Sequence, residues 1–431
     1  MRMRISVYTI KEDIMKKLLS LLLAMALILG ITGALAETTL TVWCWDPAFN
    51  LYAMEEAAKV YKEINPDVTI NIVEVLSADL ETRQTAALSA NQTDTLPDIL
   101  LMQDNSGRRF LDTFPGAYFA MDGLVDYDNF ASYKIDKFSV DGKRYSVPFD
   151  NGVAATFVRT DYLEKAGYTL KDLTDITWDQ FIEIGKKVKE ATGQFMLVTQ
   201  AGYADFVSMM TQSADMWFFD DEGKPIINSS PVIKAMVETI VKLRESGIVK
   251  EAVDWSEYIA SFNNGSAGST IQGCWIIGSI VLAKDQEGKW GVTNIPRLDI
   301  EGALNYSSQG GSSWVVPATS PNKELAVDFL SKTFGGSVDF YQTILQSSGA
   351  IATYLPAAAG EAYAQPHPFF NGQKVFEDLM GYSAHVPLVK YGVYNYEARD
   401  EIVNAIEAIS NGATVEQALN DAQSAVEFIM E

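Results

Sequence analysis

The sequence is poor in the side chains that build metal sites and acyl-transfer centres. Its 431 residues include two cysteines, Cys44 and Cys274, and two histidines, His367 and His385. Neither histidine stands at a ligand-like spacing to Cys, Asp or Glu, so no zinc-type metal site is predicted. A Ser-His-Asp triad would need one of these histidines, and neither a G-x-S-x-G elbow nor a phosphate-binding G-x-x-x-x-G-K-[ST] loop occurs. We therefore predict no catalytic residue, no metal and no cofactor.

Two cysteines cannot form a disulfide framework. One bridge between Cys44 and Cys274 and two buried free thiols are both compatible with the sequence, which does not supply the geometry of a bridge.

Basic residues are also scarce. The chain carries 33 Lys and Arg against 56 Asp and Glu, a formal net charge of −23. Such a surface repels polyphosphate backbones, which excludes nucleic acid as an expected partner. A hydrophobic content of 48% with 11% aromatic residues excludes a disordered chain, and the length favours two lobes over one core.

Long apolar runs are absent except near the N-terminus. Leu18–Ile31 is apolar, follows the basic pair Lys16-Lys17, and precedes Ala34-Leu35-Ala36. These three parts are typical of a secretory signal peptide, and the run is shorter than the roughly 20 residues that span a bilayer. A core helix or a membrane anchor is the alternative. We predict a signal peptide over residues 1–36, with an upstream extension at 1–14, and a protein exported to the periplasm or outer cell surface of a bacterium. No lipoprotein cysteine follows the run.

Strand and helix patterns alternate at the start of the predicted mature chain. Thr39–Trp45 is rich in β-formers, residues 51–64 have helical spacing, and Val68–Val73 predicts a second strand. A helix around 78–90 and a strand at 98–102 follow. This order indicates an α/β fold in which helices cover a mainly parallel sheet.

Several helix starts are marked by their side chains. Thr177-Trp178-Asp179-Gln180 is a capping box. Ser230-Pro231 and Ser320-Pro321 each place an N-cap residue before a proline at the first helical position.

Aromatic and carboxylate or amide side chains recur where strands are predicted to end. Trp45-Asp46, Gln103-Asp104-Asn105, Phe149-Asp150-Asn151 and Gly273-Cys274-Trp275 all have this character. Open α/β sheets bind ligands at the carboxyl ends of their strands. A ring that packs on C–H groups beside an acceptor of hydroxyl hydrogens suits a sugar. The alternative is that each tryptophan fills the core.

Ten segments, in a fixed order, carry a family resemblance over nearly the whole predicted mature chain. They are Leu40–Trp43, Tyr61–Pro66, Pro97–Leu100, Asp141–Phe149, Thr156–Gly167, Thr177–Phe181, Phe262–Gly265, Gly273–Trp275, Ser320–Ala326 and Ala418–Gln423. The chain thereby resembles the extracellular solute-binding proteins of ABC importers, in the sugar-binding group (family 1) that includes the maltodextrin-binding proteins. It departs from the family at Cys274, where proline is common, and in lacking the lipoprotein cysteine of Gram-positive relatives.

The resemblance implies a periplasmic-binding-protein-like fold. Two interwoven lobes, each a mainly parallel sheet with flanking helices, would be joined by a hinge of three crossing segments near 151–154, 310–313 and 349–352. Lobe 1 is expected to comprise 37–150 and 311–350, and lobe 2 to comprise 151–310 and 351–431.

The resemblance also implies a ligand site and partners. The expected ligand contacts are Trp45, Asp46, Asp104, Asn105, Asp150, Asn151, Tyr203, Trp275, Gly311, Ser312 and Tyr396. The expected partners are a carbohydrate, in particular an oligosaccharide, and the membrane permease subunits of an ABC importer, with the protein itself a monomer. The alternatives are a protein that presents its ligand to a sensor, a binder of a non-sugar solute, and a secreted carbohydrate-active enzyme.

Overall fold

The computed structural model describes residues 38–431. The predicted signal peptide and its upstream extension therefore lie outside the described residues. Within 38–431, no helix is both long enough and apolar enough to cross a bilayer.

Twelve strands and fifteen α-helices make up the described chain. The strands are β1 (Thr38–Cys44), β2 (Val68–Glu74), β3 (Ile99–Gln103), β4 (Ser139–Val140), β5 (Lys143–Arg144), β6 (Ser146–Asp150), β7 (Ala154–Arg159), β8 (Leu197–Gln200), β9 (Val249–Ala252), β10 (Ser269–Gly273), β11 (Trp290–Thr293) and β12 (Ser312–Val315). The helices are α1 (Tyr52–Ile64), α2 (Ser77–Ser89), α3 (Asp104–Thr113), α4 (Ser132–Asp136), α5 (Thr160–Lys165), α6 (Trp178–Thr192), α7 (Ala204–Ser213), α8 (Pro231–Glu245), α9 (Trp255–Asn263), α10 (Ile277–Ile280), α11 (Lys323–Lys332), α12 (Val338–Ser348), α13 (Val375–Ser383), α14 (Asn395–Ser410) and α15 (Val415–Met430).

Two five-stranded sheets form the two lobes. The first has the order β2-β1-β3-β12-β6 and the second β11-β7-β10-β8-β9. In each sheet four strands run in one direction and one runs against them, β12 in the first and β7 in the second. Both reversed strands enter their sheet directly from a crossing between the lobes. The predicted two-lobed α/β architecture is confirmed, with this one reversed strand in each sheet.

Strand β1 contributes side chains to a hydrophobic core on each face of its sheet. Leu40, Val42 and Cys44 are fully buried in one core cluster, whereas Trp43 packs against a second cluster on the other face of the sheet. Successive side chains of a strand point to opposite faces. Because helices cover both faces, the strand carries apolar side chains on each of them.

Of the three helix starts that the sequence marks at Thr177, Ser230 and Ser320, two are confirmed. The capping box of Thr177 and Gln180 opens α6, and the Ser230 hydroxyl accepts from the Ile233 amide at the start of α8. Ser320 was predicted to cap the next such helix, and this prediction is wrong. Its hydroxyl donates to Asp98 Oδ1 at 2.6 Å, and α11 starts only at Lys323. The hydroxyl also accepts from the Asn322 backbone N–H at 3.1 Å, so it supports the turn that precedes α11 and does not cap the helix itself.

Two crossing segments lie side by side between the sheets. The first, 151–153, joins β6 to β7, and the second precedes β12. Backbone hydrogen bonds link them, from Ala154 N to Ser307 O (2.9 Å) and from Gln309 N to Gly152 O (2.7 Å). Gly152 and Gly310 have φ of +65° and +70°, and a Cβ on Gly152 would lie 2.9 Å from the Gly310 oxygen. Glycine is therefore required where the two crossings touch.

A third segment, 349–352, lies against the end of β6. Asn151 N donates to Ile351 O at 3.0 Å. The following stretch, 355–364, then contacts α12, which itself packs on α1 of the first lobe. Contact with the second sheet follows at 368–370, which packs on β11, and at Gln373, whose side chain exchanges two hydrogen bonds with the backbone of Val292. The stretch 355–364 therefore contacts the first lobe before the chain reaches the second sheet.

Candidate functional site

A cavity of about 280 Å³ opens between the two lobes at the carboxyl ends of several strands. Its wall combines aromatic rings with carboxylate, amide and hydroxyl groups. The lining residues are Trp45, Asp46, Phe49, Asn50, Gln103, Asp150, Trp255, Trp275, Ser279, Gly310, Gly311 and Ser312.

The wall from the first lobe begins where β1 ends. Trp45 and Asp46 follow the strand, and one π-helical turn, Pro47–Leu51, leads into α1. The Asn50 Oδ1 accepts from the backbone N–H groups of Trp45 and Asp46, both at 3.0 Å. This amide fixes the backbone that presents the indole and the carboxylate to the cavity.

Asp150 forms the floor at the end of β6. Its Oδ1 accepts from the Ser312 backbone N–H at 2.8 Å and from the Ser312 hydroxyl. Burial raises the pKa of the Asp150 carboxyl above its usual range, against the opposing effect of Lys134 and the Ser312 hydrogen bonds. Both hydrogen bonds use Oδ1, so Oδ2 is the oxygen that a ligand hydroxyl would approach.

Two tryptophans from the second lobe face this wall. Trp275 follows β10, and Trp255 is the first residue of α9, just after β9. Their ring centroids are 5.8 Å apart and their planes are inclined by 40°. Trp255 stacks on Tyr258 at 5.1 Å and remains 42% exposed. A large aromatic side chain with this much exposure inside a cavity provides a surface for a ligand.

The Trp275 ring is anchored to the hinge. Its indole Nε1–H donates to the backbone oxygen of Gln309 at 3.0 Å, in the second crossing segment. A Cβ on Gly273 would lie 2.3 Å from the same nitrogen, and one on Gly310 would lie 3.1 Å from it. The indole therefore reaches the Gln309 carbonyl because both neighbours are glycine.

Six of the eleven predicted contact residues line the cavity, and five lie elsewhere. The six are Trp45, Asp46, Asp150, Trp275, Gly311 and Ser312. The five are Asp104, Asn105, Asn151, Tyr203 and Tyr396.

Asp104 begins α3 beneath the cavity and is buried. Its carboxylate forms an ion pair with Lys134, which is also completely buried, and lies 3.7 Å from the ammonium group of Lys137. Ser313 donates to its Oδ1 at 3.1 Å. These internal partners occupy the carboxylate, and Asp104 does not line the cavity. Asn105, the next residue, is partly buried on the same helix and does not line the cavity.

Asn151 and Tyr203 are buried in the structure. The Asn151 Oδ1 accepts from the Tyr133 hydroxyl at 2.7 Å and from Val153 N at 3.2 Å, which fixes the first crossing. The Tyr203 hydroxyl donates to Glu251 Oε1 at 3.0 Å, and burial raises its pKa well above the usual value. Both side chains have a structural environment within their own lobe or hinge.

Tyr396 joins the two lobes beside the cavity. It belongs to α14, which packs on α7 and α8 of the second lobe. Its hydroxyl lies 3.4 Å from Gln103 Oε1 and 3.3 Å from Ser106 Oγ of the first lobe. Gln103 lines the cavity, so Tyr396 contacts a lining residue but does not line the cavity itself.

The sequence reasoning missed six lining residues: Phe49, Asn50, Gln103, Trp255, Ser279 and Gly310. Trp255 could have been found, because it follows Asp254 at the end of a strand and so repeats the aromatic-with-carboxylate pattern. Ser279 and Gly310 carry no comparable local signal.

A second cavity between the lobes, of about 320 Å³, has a different character. It is lined by charged residues of α3 and α4 and by the loop 389–394. Its charges are paired internally, Arg108 with Asp112 and Lys390 with Asp221, both at 2.6 Å. We take the first cavity as the functional site because it combines exposed aromatic faces with hydrogen-bond acceptors at strand ends.

The two cysteines do not pair with each other in the described chain. Cys44 and Cys274 are free and buried, so the two are not bridged. Burial raises the pKa of each thiol to about 12. In residues 38–431, no group of three or more His, Cys, Asp or Glu side chains is placed to hold a metal ion.

The fold and the cavity define a two-lobed solute-binding protein, with its site between lobes that are joined by a hinge. Residues 56–369 match the bacterial extracellular solute-binding protein family. The chain belongs to this family, which confirms the resemblance seen in the sequence. The family consists of binding proteins, and membership implies a protein that is exported.

Individual relatives extend the match. The chain is 39% identical over 406 residues to the lactose-binding protein of Rhizobium radiobacter, covering 94% of this chain and 96% of the relative. It is 27% identical over 315 residues to the arabinooligosaccharide-binding protein of Bacillus subtilis, covering 70% of each. The fold matches the ABC transporter associated binding protein from B. animalis subsp. lactis, solved with β-1,6-galactobiose, with a TM-score of 0.72 at 21% identity, covering 90% of this chain and 96% of that one.

Proposed function

We propose that this protein captures a short carbohydrate between its two lobes. The observation that carries the proposal is the opposition of two walls across one cavity. Trp275 and Trp255 present indole faces from the second lobe, while Asp46, Asn50 and Asp150 present polar groups from the first.

Each wall matches one part of a sugar. An indole packs on the C–H face of a pyranose, and carboxylate or amide oxygens accept its hydroxyl hydrogens. A pyranose has the dimensions of the six-membered ring of one indole, so one sugar ring covers one tryptophan. Two tryptophan faces inclined by 40° therefore favour a ligand of at least two rings.

The cavity volume and one relative indicate which carbohydrates fit the site best. At about 280 Å³ the cavity is near the lower end of the range of small-molecule pockets, roughly 300–1,000 Å³, which favours a disaccharide over a long chain. The relative that is 39% identical is a lactose-binding protein. We therefore propose a disaccharide with lactose as the first candidate. Trp45, Gly311 and Ser312 complete the proposed contact set.

The proposal extends to delivery and export. The loaded protein, as a monomer, would dock on the permease subunits of an ABC importer after removal of residues 1–36. A ligand that touches both lobes stabilises the closed arrangement over the open one, so closure would mark the loaded form. The site would bind and release its ligand unchanged, without catalysis.

A thermal-shift and calorimetry panel tests the binding step. Lactose, cellobiose, maltose, galactose and β-1,6-galactobiose are titrated into the mature protein. A specific ligand at 100 times its Kd stabilises the folded state by about 2.7 kcal/mol, which raises Tm. Trp275→Ala serves as the matched control, and it should lose most of the shift. A panel in which no sugar raises Tm contradicts the carbohydrate proposal.

A reconstituted importer tests the delivery step. The genome-encoded permease in liposomes should hydrolyse ATP faster with sugar-loaded protein than with sugar-free protein. Equal hydrolysis rates in the two cases, with sugar binding intact, would favour presentation to a sensor instead.

A further inference from the structure

The Asp205 carboxylate, which lies outside the cavity lining, hydrogen-bonds to the two segments that hold Trp275. Asp205 lies in the first turn of α7 and is partly buried. Its Oδ2 accepts from the Gln272 amide at 2.8 Å, and its Oδ1 accepts from the Gln309 amide at 2.5 Å. Asp205 itself does not line the cavity.

The two glutamines lie in different segments that contact the tryptophan. Gln272 is the penultimate residue of β10, and its Oε1 accepts from the Gly273 backbone N–H at 3.0 Å, which fixes the turn that carries Trp275. Gln309 lies in the second crossing, and its backbone oxygen accepts the indole N–H of Trp275. Asp205 thus fixes both the backbone before the ring and the acceptor that receives its N–H.

Only a group with two acceptor oxygens satisfies both amides as they stand. A buried amide donor that loses its acceptor costs about 1–3 kcal/mol, so each glutamine would move to find another partner. Burial raises the pKa of Asp205, against the opposing effects of the Gln272 hydrogen bond and of Arg399.

We propose that Asp205 is a positioning residue for ligand binding. By holding Gln272 and Gln309, it orients the Trp275 indole face toward the cavity before the ligand arrives. This inference rests on the proposed function, since it assigns Trp275 to the ligand. A preorganised contact residue raises affinity because less ordering is left for the binding step.

The orientation of Trp275 is measured first without any ligand. The chain has eight tryptophans, and in a ¹⁵N spectrum of their indole groups the Trp275 signal is the one missing from Trp275→Phe. Asp205→Ala should shift this signal more than the other seven and speed its exchange with solvent. Asp205→Asn should restore it, because an asparagine serves both glutamines once the Gln309 amide turns over. Asp221→Ala, an exposed aspartate of the same lobe paired with Lys390, is the control and should leave it unchanged.

Affinity is measured next, for lactose or for the sugar of the panel that binds the wild-type protein most tightly. Asp205→Ala should weaken binding about tenfold. In the Trp275→Phe background, which keeps a ring but lacks the N–H, the same change should cost clearly less than tenfold, because positioning through the indole N–H is already lost and only the effect through Gln272 remains. Gln309→Ala, which keeps the backbone oxygen, should resemble Asp205→Ala and replaces it if that variant does not fold.

The outcomes separate the inference from the function. An unmoved Trp275 signal in Asp205→Ala, or an equal loss of affinity in both backgrounds, overturns the positioning role. Absence of sugar binding by the wild-type protein counts against the proposed function instead, and the ligand-free spectra still decide the positioning of Trp275.

Discussion

Asp104→Asn should destabilise the protein strongly and leave sugar affinity almost unchanged. Asparagine keeps the shape of the side chain but removes its charge. The charge matters because Lys134 pairs with this carboxylate while fully buried, and Lys137 lies 3.7 Å away with little exposure. The variant therefore leaves two buried ammonium groups without their shared counter-ion.

The magnitude follows from the neighbours that remain. Removing one partner of a buried ion pair costs about 3–5 kcal/mol. Lys134 also interacts with the Asp150 carboxylate and donates to the Ser312 backbone oxygen at 3.3 Å, and these contacts survive the substitution. We therefore expect a loss near the lower end, about 3 kcal/mol.

Urea unfolding at pH 7 measures the loss, with Asp112→Asn as the matched control. Asp112 lies on the same helix and pairs with Arg108 at the surface, 2.6 Å apart, so its loss should cost about 0–1 kcal/mol. Calorimetry with the best sugar of the panel supplies the affinities. The reasoning is refuted if Asp104→Asn unfolds at the same urea concentration as the control. Weaker sugar binding at unchanged stability would return Asp104 to the contact set.

Three further predictions concern the cavity, the hinge and the thiols. Trp275→Ala and Trp255→Ala should each weaken sugar binding by about 1–3 kcal/mol, as measured by calorimetry, with only small changes in Tm. A large loss of Tm at unaltered affinity would show instead that the substituted ring belongs to the core. Gly152→Ala should lose about 1–3 kcal/mol of stability in urea, more than Gly116→Ala, which has positive φ in open space; equal losses would remove the clash argument. Cys44, with its pKa raised to about 12, should resist iodoacetamide at pH 8 until unfolding, as followed by mass spectrometry; rapid labelling of the native protein would contradict its burial.

Much of the fold can be predicted from the sequence, because the patterns that indicate strands and helices are local. Alternating strands and helices between residues 38 and 103 agree with the structure to within one or two residues, and the capping box at Thr177 opens a helix as predicted. Ser320 shows the limit of such signals. Its serine–proline pattern has the form of a helix start, but the hydroxyl donates to Asp98, over two hundred positions earlier in the chain, and the helix begins two residues later than the pattern predicts.

The candidate site can be predicted only in part, because residues that are distant in sequence decide which side chains reach the cavity. Polar and aromatic residues at strand ends are expected to face a ligand. Trp45, Asp150 and Trp275 follow this rule, and all three line the cavity. The same rule selected Asp104, and nothing near it in sequence reveals Lys134, thirty positions away, as its partner. The end of a strand determines where a carboxylate side chain lies in the fold. Whether that carboxylate is available to a ligand depends on a lysine that is distant in sequence and pairs with it only in the folded protein.

Trp275 shows how the site and the hinge become one unit in three dimensions. Sequence position alone makes it an aromatic residue after a strand, equivalent to Trp255. The structure adds the bond from its indole to Gln309, whose own N–H donates to Gly152 in the other crossing. A rotation of the lobes changes the backbone of these crossings, so it must also move the indole or break its hydrogen bond. A sugar that packed on the Trp275 face would therefore favour one hinge arrangement. Trp255 stacks on Tyr258 instead, so a contribution from it to affinity would have no such direct link to the hinge.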